Sequence, residues 1–138
     1  MSETTNKTMT AAEILEAFKD EYKRVVRRYE KEVEKYSLKM NEDYEYFFRW
    51  HADDRYKAVL NLEALRSMRE IAYWDDLEKV GKCLENHIKN IELNLLEGTL
   101  TPTSTNVMMS VADMLKRVAM QELRGDLQNL LWMVQYKG

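Results

Sequence analysis

The chain has almost none of the residues that staple or interrupt a polypeptide. One cysteine, Cys83, in 138 residues excludes an internal disulfide framework, so stability has to come from an apolar core. One proline, Pro102, and four scattered glycines leave little to break long helices, and glycines so dispersed cannot form a phosphate-cradling loop. No apolar run approaches the ~20 residues of a membrane span. The polar stretch Met1 to Thr10 lacks the apolar segment of a signal peptide. These absences predict a cytoplasmic protein that does not enter membranes. The formal net charge of −3 gives no general attraction to nucleic acid or anionic lipid, so such binding would need a local patch.

What is present is a strongly periodic pattern. Apolar residues fall at Ile14, Phe18, Tyr22, Val25, Tyr29, Val33, Tyr36 and Met40, spaced four, four, three without a miss. An eleven-residue repeat of this kind is about 3.67 residues per turn, which keeps the stripe nearly straight along a helix of roughly 40 Å. Thr10-Ala11-Ala12-Glu13 is a capping box, and Met9 and Ile14 hold the two positions of a hydrophobic staple, so both signals start this helix at Thr10. The Ser, Thr, Asn and Lys residues of 1–9 have nothing to bury, so this stretch reads as a disordered tail, with 10–138 as a single helical domain.

Asn41-Glu42-Asp43 offers a turn, after which a second helix is expected over 43–72. It opens with Tyr44-Glu45-Tyr46-Phe47-Phe48-Arg49-Trp50, five of the chain's fourteen aromatics within seven residues. On a helical wheel Tyr44, Phe47 and Phe48 lie together, as core, and Tyr46 and Trp50 point the other way. Further on, Ala58, Leu62 and Leu65 form one stripe and Leu60, Ala64, Met68 and Ile71 another, the mark of a helix covered on two sides.

Asp75, with Glu78 three residues later, predicts the start of a third helix over 75–97. Its stripe runs Leu77, Gly81, Leu84, Ile88, Ile91 and Leu95; Gly81 would admit a neighbouring backbone, and Gly98 would cap the end. The uncharged linker Gly98 to Asn106 reaches up to about 30 Å, enough to cross a bundle or to hand the last helix to another subunit. Met108, Ala112, Leu115, Ala119, Leu123, Leu127, Leu130 and Val134 stripe a fourth helix over 106–136. The expected fold is therefore all-α, an antiparallel bundle of four long helices with the last one free to cross or swap.

Chemistry is harder to place. The di-iron frame of four-helix bundles needs Glu-x-x-His, and neither His51 nor His87 has a Glu three residues before it. Cys83 and His87 are one turn apart, but two ligands without a second pair do not make a zinc site, and Cys83 reads as a small buried residue. Neither histidine sits in a nucleophile motif. Hence no metal, no cofactor and no catalytic residue is assigned. Glu13-x-x-Glu16 and Glu42-x-x-Glu45 have the carboxylate spacing with which all-α nucleotide pyrophosphohydrolases bind magnesium, which makes that activity a second alternative.

Two surfaces remain. Arg24, Arg27, Arg28, Lys31 and Lys35 gather on the polar side of the first helix and could follow phosphates, although Asp20 before Arg24 and Glu32 after Arg28 stand as ordinary intrahelical partners. Nucleic-acid binding through this stripe is the first alternative. Tyr46 and Trp50, with Arg49, suit an oligomer or partner surface, because aromatics with a polar handle are favoured at protein interfaces. The expected role is a non-enzymatic interaction or regulatory protein that acts through helix surfaces as a homo-oligomer.

Overall fold

The computed structural model describes residues 9–100 and 106–136, the side chains of 98–100 and 136 excepted. All but Met9 of the expected tail, and linker residues 101–105, lie outside the described residues. Those described form five α-helices, α1 (Ala11–Glu42), α2 (Tyr44–Trp50), α3 (Ala52–Ser67), α4 (Leu77–Leu100) and α5 (Val107–Tyr136), with a 3₁₀ segment at Arg69–Tyr73 and no strand.

The long first helix starts where its signals put it. The Thr10 hydroxyl accepts from the Glu13 N–H at 3.1 Å, and the Glu13 carboxylate accepts from the Thr10 N–H at 3.0 Å. Its stripe is buried from Ile14 through Tyr29 and thins to half-buried at Val33, Tyr36 and Met40. The opposing helix runs antiparallel: Tyr22 donates to the Leu65 carbonyl, Asn61 to the Tyr29 hydroxyl at 3.5 Å and Arg55 to Ser37 at 3.2 Å, so positions fall along α3 as they rise along α1.

The single helix expected over 43–72 is three pieces, which makes five helices instead of four. Asp43 is extended (φ −152°, ψ 96°), and its carboxylate restarts the helix by accepting from the Tyr46 N–H at 3.1 Å. A second break falls at His51 (φ −133°, ψ −4°), where no proline or glycine announces it. Both stripes of α3 are used. Ala58, Leu62 and Leu65 are buried, and Leu60 and Ala64 are half-buried on the flank.

The start of α4 needs a correction of one residue. Asp76, rather than Asp75, caps it, accepting from the Glu78 and Lys79 N–H groups at 3.0 and 3.2 Å. The helix also continues through Gly98 to Leu100, so Gly98 does not end it. At Gly81 the neighbour is a side chain and not a backbone: an added Cβ would stand 3.5 Å from Val134 Cγ1. Asn106 caps α5 through the Met109 N–H at 3.1 Å. Arg117 donates to the Leu95 carbonyl at 2.7 Å and Gln135 to Glu85, so α4 and α5 also run antiparallel.

Within one chain α5 packs on α4, α3 and α1. The core lies between these four, with Phe18, Tyr29, Leu65, Val80, Leu84, Leu127 and Leu130 at 0 % exposure, so it closes without help from α2. The predicted α5 stripe holds from Ala119 onward, but Met108, placed inside by periodicity, is 66 % exposed because the first turns of α5 reach past the core.

Candidate functional site

Helix α2 is just under two turns of helix between two backbone breaks, and its shortness decides which of its aromatics are covered. Only Phe47 is buried, at 5 % exposure. Tyr44 and Phe48, expected beside it in the core, are 65 and 56 % exposed instead. Their rings lie 6.3 Å from each other, and Tyr44 is also 6.3 Å from Phe47. The wheel grouping holds but the burial does not: a helix of seven residues between two breaks presses only Phe47 inward.

The other side carries the residues assigned to an interface. Tyr46 is 52 % and Trp50 64 % exposed. Arg49 pairs with Glu45 at 3.0 Å one turn earlier, a solvent-exposed pair of little energetic gain. Tyr46 leans on His51, ring centroids 5.8 Å apart, and His51 rests on Tyr36 of α1 at 5.4 Å. The His51 Nδ1 is buried without a hydrogen-bond partner, 3.5 Å from Asp54 Oδ2. Tyr46, His51 and Tyr36 thus form a chain of rings from the exposed face of α2 to α1. Sequence reading missed His51 in this role because its position follows from a break that leaves no trace in composition.

The basic stripe of α1 is less free than its spacing suggests. Arg28 turns inward and binds Asp126 of α5 at 2.7 Å, rather than Glu32. Burial alone would lower the Arg28 pKa, but the hydrogen bond and charge of Asp126 outweigh it, and the guanidinium is held charged more firmly than usual. Arg24 pairs with Glu21 at 3.2 Å rather than with Asp20. Lys35 lies over the Tyr36 ring at 5.2 Å, and Arg27 and Lys31 are exposed. The five residues share one helix, but they do not present one line of free cations.

The carboxylate pairs are not brought together. Glu13 is engaged by Thr10, and Glu42 and Glu45 fall on opposite sides of the break at Asp43. The two pairs stand at opposite ends of α1, about 45 Å apart. Cys83 and His87 are each half-buried on α4; burial raises the thiol pKa and lowers that of the imidazole. Among the described residues no three His, Cys, Asp or Glu side chains are grouped to hold a metal ion, and no helix is long and apolar enough to cross a membrane.

No family model matches the chain, and no curated protein or solved structure matches it either.

Proposed function

We propose a non-enzymatic interaction or regulatory protein that acts through its helix surfaces as a homo-oligomer, with α2 as the surface that meets a protein partner. The observation that supports this reading is the state of one helix. Four of the five aromatics of α2 stand more than half exposed, although the core is closed without them. Large apolar side chains concentrated on one exposed element exceed the scattered single exposures that any surface carries. Tyr46 and Trp50 combine a broad apolar ring with a polar atom, and Arg49 lies on the same short helix; these three residue types dominate binding energy at interfaces.

The test compares the wild-type chain with a Tyr46→Ser/Trp50→Ser variant, immobilised and offered the soluble proteins of its own cell. Circular dichroism should not change, because neither side chain supports the core. Capture of a partner by the wild type and its loss from the variant is the expected result. Equal capture by both sinks the assignment of this surface.

A further inference from the structure

Helix α5 is apolar on two sides. One side carries Ala119, Leu123, Leu127, Leu130 and Val134 into the core. The other runs from Val107 through Val111, Met114 and Val118 to Trp132, which stand 74, 40, 57, 43 and 53 % exposed. Between Val107 and Trp132 this outer side is visited in steps of four, three, four, three, four, three and four, with Gln121, Gly125 and Gln128 at the intervening stops. That is a 3.5-residue period, the period of a coiled-coil seam. The solvent side of a surface helix is ordinarily its charged side. Here a third of the chain is charged, yet none of the eight seam positions is.

We infer that this seam is the contact between two copies of the chain, α5 lying antiparallel against α5 across a two-fold axis. The inference rests on the homo-oligomer reading above and assigns its contact to α5, leaving α2 for another partner. Three observations favour a second copy as the occupant. The step pattern reads the same from either end, so a two-fold antiparallel pair sets Val107 opposite Trp132 and Met114 opposite Gly125, a large side chain against a smaller one each time. Isologous contacts require such self-complementarity. Gly125 leaves room for it, since a Cβ there would meet nothing within 4 Å of its own chain. Finally, with the exposed Gln121, Gln128 and flanking Met108, the face offers on the order of 800 Å², what each partner contributes to a stable interface of standard size.

The test is molar mass by light scattering on the full chain, across a range of concentrations. The wild type should weigh about twice the 16.5 kDa of one chain. Val111→Glu/Met114→Glu should return it to the single-chain mass with unchanged helicity, and Tyr46→Ser/Trp50→Ser should leave the doubled mass in place. If the double glutamate variant loses helicity, Met114→Lys alone is read the same way. A seam variant that keeps the wild-type mass, or an α2 variant that alone becomes monomeric, overturns the seam and spares the homo-oligomer reading. A wild type of single-chain mass at every concentration overturns both. For orientation, chains carrying Met114→Cys should cross-link to chains carrying Gly125→Cys and not to one another; cross-linking among Met114→Cys chains themselves contradicts the antiparallel order.

Discussion

Tyr29 of α1 donates a 2.6 Å hydrogen bond to Asp126 of α5, ninety-seven positions away. Arg28 binds the same carboxylate oxygen at 2.7 Å, and Asn61 of α3 reaches the Tyr29 hydroxyl at 3.5 Å, so one acidic side chain ties α1 to α5 beside the core. Asp126→Ala removes both bonds and leaves the Tyr29 O–H without its acceptor. It should lower the unfolding free energy by about 1.5–3 kcal/mol, the range for hydrogen bonds to a charged group. Asp126→Asn, which keeps an acceptor, should cost less. Urea denaturation of the two variants checks the order; an Asp126→Ala variant as stable as the wild type would remove this link from the account.

Alkali should attack the same region. Burial pushes the Tyr22 hydroxyl up to about 12 against the opposing charge of Arg69, and pushes Tyr29 up as well, reinforced by Asp126 and Glu122. Both phenols have folded-state pKa values above the unfolded value of 10.0, so the fold favours their neutral form. That stability is complete below about pH 10 and drains as pH rises beyond it. Melting temperature should therefore fall between pH 10 and 12, and Tyr29→Phe should flatten the fall while costing about 1 kcal/mol near neutrality. A variant whose alkaline slope equals that of the wild type speaks against it.

On the acid side the relevant group is His87. Burial lowers its pKa from 6.5, so its contribution is present above that value and is lost as pH falls below it. His87→Gln should lose less melting temperature than the wild type between about pH 7 and pH 5. Parallel curves would contradict the burial argument.

Gly81 sits inside α4 with room for a methyl group, its Cβ 3.5 Å from Val134 Cγ1 in ordinary contact. Gly81→Ala should raise stability by about 0.5–1 kcal/mol, by restricting the unfolded chain and filling the contact. A loss of stability would show that Val134 cannot accept the methyl.

Neighbouring aromatics of α2 should part sharply. Phe47→Ala, at a position 5 % exposed, should cost about 3 kcal/mol or more, and Tyr46→Ser should stay within about 0.5 kcal/mol. Thermal melts of the two single variants decide it, and similar losses would contradict the description of α2 as buried through Phe47 alone.

How far the sequence foretold this depends on whether the signal is local. The capping box at Thr10, the start of the last helix near Asn106 and the stripe from Ile14 to Tyr29 act within a few turns, and all are where the residues place them. The break at His51 is not legible, because every residue around it is compatible with helix, and the contacts that meet it, His51 on Tyr36 and Arg55 on Ser37, are with α1 rather than within the segment. The inward turn of Arg28 is set by a residue ninety-eight positions distant, and intrahelical spacing pointed to Glu32 instead. Periodicity also cannot tell a stripe that is covered from one that is not. It assigned Tyr44, Phe48 and Met108 to the core, and following the inner stripe of α5 concealed the uncharged one on its back.

Self-association of the chain is the property on which the proposed role depends. Sedimentation equilibrium of the wild-type protein across a hundredfold range of concentration tests this directly. The result expected is a mass approaching about twice 16.5 kDa as concentration rises. A mass that stays at 16.5 kDa throughout contradicts it.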